Sequence, residues 1–194
     1  MTGETEREKI KSFLAGHECT MEAASFDDCN QVHLCASKLL VLRYDDMPEI
    51  YQRQTGCPMR PSSNDALYIS KDGKWYFIEF KNGKPKKAEI HDKIYDSVIM
   101  MIELGLIPGF DFSRQHIHYI LVFDEVKNKN LQSSPSLDEM NQYFGCLAKE
   151  KLLIMGVGRF ENYLLKDVQT YSRQQFQEYF LDPMERMEGI LSAV

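Results

Sequence analysis

One run of residues limits what this chain can become: Trp75-Tyr76-Phe77-Ile78-Glu79-Phe80-Lys81, set between the turn formers Asp72-Gly73 and Asn82-Gly83. Its aromatic and β-branched residues favour extended backbone, and its length suits one buried strand. Side chains alternate along a strand, so Glu79 and Lys81 point to one face and Phe80 to the other. A carboxylate and an ammonium in such a run are costly to bury unless paired, hydrated or bound to metal. The fold must therefore supply partners for them near one end of a sheet.

The surrounding pattern predicts the rest of that sheet. Residues 65–70 read as a second strand, joined to 74–81 through Lys71-Asp72-Gly73 as a hairpin. Pro85 then suits the first turn of a helix over 86–104, with Ile90, Ile94, Val98 and Met101 on one stripe and Gly105 and Pro108 ending it. Residues 116–124 read as a mostly buried strand. Upstream, residues 4–15 carry Ile10, Phe13 and Leu14 at helical spacing and stop near Gly16. Asp27 and Asp28 suit the cap of a second helix through Val32, Cys35 and Leu39, although Leu40-Val41-Leu42 would also suit a strand. Pro48 opens a short helix, Glu49 to Gln54, and residues 56–64 form a loop.

Downstream, a loop over 127–135 precedes Ser136, which with Glu139 resembles a capping box opening a helix to about Lys149. Residues 152–157 suit a fourth strand, and 172–181 a late helix. Helices, then a hairpin, a crossover helix and further strands predict an α/β (α+β) fold, a central mixed β-sheet flanked by helices. At 194 residues the chain suits a single domain, 1–194.

Composition narrows the function classes. A formal net charge of −6 argues against a protein that coats nucleic acid nonspecifically, while leaving room for a small basic cleft. Five cysteines, odd in number and without a Cys-x-x-Cys pair, point to free thiols in a reducing compartment. The charged start lacks the apolar core of a secretory signal, and no run approaches the ~20 apolar residues of a spanning helix. The expectation is a cytoplasmic protein with no membrane partner.

The chemistry concentrates at Asp65, which opens the first hairpin strand, and Glu79-Phe80-Lys81, which ends the second. Two carboxylates and a lysine meeting at one end of a sheet make a hard oxygen site for a divalent ion, with an ammonium beside it. Convergence depends on the turn. A two-residue loop, Asp72-Gly73, would pair Ser70 with Trp75 and put the carboxylates on opposite faces. A three-residue loop with Gly73 left-handed would pair Ser70 with Lys74 and set Asp65 opposite Glu79. Metal binding needs the second register, or a bulge with the same effect. The simpler alternative is an ion pair between Glu79 and Lys81 at an exposed sheet end.

This arrangement resembles the PD-(D/E)xK nuclease superfamily, in which an Asp on one strand and an (Asp/Glu)-x-Lys on the next bind metal at a sheet edge. The resemblance implies a restriction-endonuclease-like core over about residues 45–125, with a helical N-terminal and an α/β C-terminal addition. It implies Asp65, Glu79 and Lys81 as catalytic residues, and Asp65, Glu79 and the backbone carbonyl of Phe80 as ligands of magnesium or manganese. It further implies an acidic residue from an early helix, Glu22 or Glu49, and a polar residue from the following helix, Lys93 or Tyr95. Asn64 stands where the pattern has proline.

Lys84, Lys86, Lys87 and Lys93 then read as a phosphate-attracting rim around a helix N-terminus, or as an ordinary solvated turn. On this reading the chain hydrolyses phosphodiester bonds of DNA, with RNA as the alternative substrate. The alternative is a catalytically silent nuclease-fold module that binds a protein partner or a second copy of itself, which ten methionines and an acidic net charge would suit. His116 and His118 read as a polar strip rather than a metal pair, and His17-x-Cys19 and His33-x-Cys35 as buried thiols near histidines.

Overall fold

The computed structural model describes residues 3–128 and 153–191. Among these, the strands in chain order are β1 (Glu18–Thr20), β2 (Phe26–Asp27), β3 (Val32–His33), β4 (Leu40–Arg43), β5 (Ala66–Ile69), β6 (Trp75–Lys81), β7 (Ile117–Phe123) and β8 (Asp167–Ser172). A six-stranded mixed sheet runs β1-β4-β5-β6-β7-β8, antiparallel as far as β6 and parallel from there on. The strands β2 and β3 form a separate small hairpin. The helices are α1 (Gly3–Phe13), α2 (Met21–Ala24), α3 (Met47–Thr55), α4 (Lys87–Glu103), α5 (Phe110–His116) and α6 (Arg173–Phe176), the last passing through a π turn (Gln177–Leu181) into α7 (Asp182–Glu188). The expected α/β architecture, a central mixed sheet flanked by helices, is thus the one found.

The strand β6 is central because every residue from Trp75 to Phe80 is buried, on both faces. Its parallel pairing with β7 requires a crossover, and α4 supplies most of it. The stripe Ile90, Ile94, Val98 and Met101 of α4 packs over Leu67, Phe77, Tyr119 and Leu121, joined by Ile10 of α1 and Leu14 just after it. On the opposite sheet face, Tyr76, Ile78 and Phe80 meet Phe176, Phe180 and Leu181 of the C-terminal helices. Ser172 begins that segment with a reciprocal capping box to Gln175.

Several expectations need correction. The second helix does not form: Asp27 caps a turn instead, its Oδ1 accepting the amides of Cys29 and Asn30 at 2.9 and 3.1 Å, which closes the β2–β3 hairpin. The alternative strand at Leu40-Val41-Leu42 is realised as β4. Residues 153–156 are not extended, since Met155 and Gly156 have positive φ (58° and 66°) and Ile154 and Val157 enter the core from a turn. The strand next to β7 is β8 instead. His116 ends α5 and packs on Phe112, so it does not share a strand face with His118, which stacks on Tyr76. The helix expected at 136–149, most of the loop before it and Cys146 lie outside the described residues. Cys19, Cys29, Cys35 and Cys57 are free thiols. No helix among the described residues is long and apolar enough to cross a membrane.

Candidate active site

The hairpin turn decides the site, and it takes the three-residue form. The Ser70 amide donates to the Lys74 carbonyl at 2.9 Å, and Gly73 supplies the left-handed step at φ 83°. Ile69 pairs with Trp75 and Ala66 with Ile78, and the paired register ends there, one residue short of Asp65 and Glu79. The chain also bulges there, because the Asp65 amide donates to the carbonyl of Ile78, the residue already in register with Ala66. The Asp65 carboxylate then turns back along β6, and its Oδ2 accepts the Phe80 amide at 2.6 Å.

The two acids are brought together around a cation that belongs to the protein. From α4, Lys93 places its Nζ 3.0 Å from Asp65 Oδ1 and 2.7 and 2.9 Å from the two Glu79 oxygens. Lys81 adds its Nζ at 3.0 Å from Glu79 Oε1. The Glu79 side chain is fully buried, whereas those of Asp65, Lys81 and Lys93 keep 14%, 22% and 21% of their surface. The pair Glu79–Lys81 therefore exists, but at a buried position and as part of a four-membered cluster. Lys93 and Lys81 offset part of the cost of a carboxylate at the Glu79 position, which burial and Asp65 still push toward its neutral form.

Beside this cluster opens a cleft of about 350 Å³, lined among others by Phe26, Asp27, Asp45, Asp65, Lys81 and Asn82. Asn82 Nδ2 donates to Asp27 Oδ2 at 2.7 Å, tying the β2–β3 hairpin to the end of β6 as the cleft wall. Asp45, in the 3-10 turn after β4, is the acid that reasoning from sequence missed. Its signal was the Asp45-Asp46 pair just beyond Leu40-Val41-Leu42, once that run is taken as a strand. Neither earlier candidate takes this place: Glu49 makes an exposed ion pair with Arg53 at 2.9 Å, and Glu22 does not line the cleft. Tyr95 packs on Phe160, leaving Lys93 as the helix residue that reaches the cluster. Lys84, Lys86 and Lys87 are exposed around the start of α4, Lys86 in an ion pair with Glu89 at 2.7 Å. Lys93 is not on that rim, since its ammonium is committed to the two acids.

Burial, and then the Asp65 charge, push the Glu79 carboxyl up to about 8 against the pull of Lys93 and Lys81. Desolvation in the cleft and the same Asp65 charge raise Asp45 to about 7, an effect that solvent on its open side weakens. Burial alone would lower Lys93, but Asp65 and Glu79 outweigh it and hold the ammonium above its ordinary value. Burial, followed by the nearby Glu79 and Asp65 charges, also raises the Tyr119 phenol. Its hydroxyl and the Oδ1 of Asn64 are buried without a hydrogen-bond partner among the described residues.

The donor set suits a hard divalent ion in kind: two carboxylates that converge and, next to them, the Phe80 main chain. In space the fit carries a condition. Magnesium takes oxygens at about 2.0–2.1 Å and would occupy the volume that Lys93 Nζ now fills. Among the described residues, no three or more His, Cys, Asp or Glu side chains are grouped so as to hold a metal by themselves. No family model, curated protein or solved structure matches the chain.

Proposed function

We propose that the chain is a metal-dependent nuclease of the PD-(D/E)xK type with a restriction-endonuclease-like core, acting on DNA or RNA. The observation that carries this reading is the three-residue register with its bulge, which sets Asp65 and Glu79 together on one sheet face, with Lys81 on the same face. Nothing in sheet formation requires two carboxylates to meet there, and their meeting is costly without a cation. A magnesium or manganese ion held by Asp65, Glu79 and the Phe80 carbonyl would polarise the phosphoryl group and acidify a bound water.

The remaining work falls to the protein's own side chains. Lys81, partly open to the cleft, holds a positive charge where negative charge develops on the phosphate. Lys84 and Lys87, exposed near the start of α4, attract the phosphate backbone. The Phe80 amide fixes the Asp65 carboxylate, so the acid is oriented before any ligand arrives. Cleavage of single- and double-stranded DNA with added magnesium or manganese tests the reading. Activity is expected in the wild type and lost in both Glu79→Ala and Lys81→Ala; cleavage that survives both would sink it.

One observation favours a second reading, a catalytically silent module of the same fold that binds another protein. Asp65 is enclosed in an ion pair with Lys93, an arrangement that needs no metal. Absence of cleavage, together with unchanged stability on adding magnesium or manganese, would select it.

A further inference from the structure

From the position of Lys93 we infer that this residue is a displaceable occupant of the cation locus, so that a divalent ion binds only by expelling its ammonium. The inference rests on the metal-dependent reading above and concerns how that same site is regulated. Three carboxylate oxygens, one from Asp65 just before β5 and two from Glu79 of β6, surround Lys93 Nζ at 2.7–3.0 Å. Those are the oxygens a metal would use, so ion and ammonium compete for the same donors and repel each other at short range. The metal-free site is neutralised by its own lysine, and the acids are never left bare.

The structure gives the lysine a way out. Lys93 sits in the first half of α4, its side chain keeps 21% of its surface, and its partner Asp65 lines the cleft that also contains Lys81. Its long, unbranched stem lets the head group reach solvent while the stem stays packed. Once expelled, the ammonium joins Lys81, Lys84 and Lys87 on the side from which a phosphate would approach. Metal entry thus converts an internal counter-ion into a phosphate-facing charge. By linkage, a bound polyphosphate backbone that draws Lys93 outward strengthens metal binding by the same factor. The nuclease and silent-module readings become two states of one site, separated by where this side chain sits.

The test is calorimetric titration of the full-length protein with Mn²⁺, which needs no turnover. Lys93→Met keeps the stem and removes the charge, so it is expected to bind Mn²⁺ about tenfold tighter or more than wild type, within the usual range of coupling between sites. Lys93→Arg retains the charge and is expected to show no gain. Adding Glu79→Gln to Lys93→Met should abolish the binding, assigning it to this site. Because Lys93→Met leaves Asp65 without its ammonium and Glu79 with Lys81 alone, its thermal midpoint is expected to fall without metal and to recover with Mn²⁺ by more than the wild type gains. Should that variant fail to fold even with metal, Lys93→Gln is titrated in its place against the same expectation. Equal affinity in wild type and the uncharged variant would overturn the inference while leaving the metal site standing. Absence of binding in both would remove the metal reading, and the inference with it.

Discussion

The two faces of β6 are built from adjacent residues and obey different rules. Toward the C-terminal helices it sends Tyr76, Ile78 and Phe80, and the rings of Tyr76 and Phe80 meet Phe180 and Phe176 at 5.0 and 5.7 Å. Toward α4 it sends Trp75 and Phe77 and then Glu79, within the same buried run, and Lys81 at its half-buried end. The first face is held by apolar packing, whose strength is indifferent to protons and ions. The second is held at one end by a charge cluster whose strength depends on both. Strand alternation keeps the two apart, so a single strand carries the fold on one side and the candidate chemistry on the other.

The sharpest way to break this comparison is to remove bulk from the aromatic face. Phe176 is fully buried, stacks on Phe180 at 5.2 Å and meets Phe80 edge-on. Phe176→Ala is expected to cost about 3–5 kcal/mol in urea denaturation, through lost transfer energy and the cavity left behind. The loss should be the same at pH 5 and pH 8. A loss that changed with pH would mean that the two faces are coupled.

The charged face should behave in the opposite manner. The Glu79 carboxyl is raised from 4.5 to about 8, so between those values the folded state holds a proton that the unfolded state has released. Stability therefore falls as pH rises through that window, and Asp45, raised in the same direction, adds to the slope. The stabilising contribution of Lys93 has the same sign of pH dependence but is lost only at alkaline pH, because its raised value lies above the ordinary lysine range. The expected decline is on the order of 1–3 kcal/mol, and Glu79→Gln should remove most of it. A wild type that gains stability from pH 5 to pH 8 would show that the lysines, rather than burial, govern Glu79.

The same contrast explains which features could be read from the chain. The strand Trp75–Lys81, its hairpin and the stripe of α4 were legible because each is written in local chemistry: alternation, a Lys-Asp-Gly turn, and a 3.6-residue period. Asp27 misled because a carboxylate capping a hairpin turn and one capping a helix look alike in sequence; only the pairing of β2 with β3 separates them. The three-residue β1 has no pattern of its own and exists through its partner β4. At the candidate site, Asp65 and Glu79 could be placed by counting residues around a turn. That Lys93 would bridge them could not, because it depends on how α4 lies across the sheet, and Asp45 became visible only with β4 in place.

The smallest effect sharpens the boundary between the faces. Tyr119 of β7 stands beside Phe77 on the α4 side, fully buried, its hydroxyl without a partner among the described residues. A buried hydroxyl that makes no hydrogen bond carries its desolvation cost with no return, so deleting it should be neutral or slightly favourable. Tyr119→Phe is thus expected to change stability by less than about 1 kcal/mol, and toward the stabilised side, when melted at pH 7 beside the wild type. A loss well above that size would mean that the phenol belongs to the polar network of Glu79 and Asp65. The charged end of this face would then reach a further pair of residues into the sheet, and the hydrophobic floor beneath Lys93 would begin only at Phe77 and Leu121.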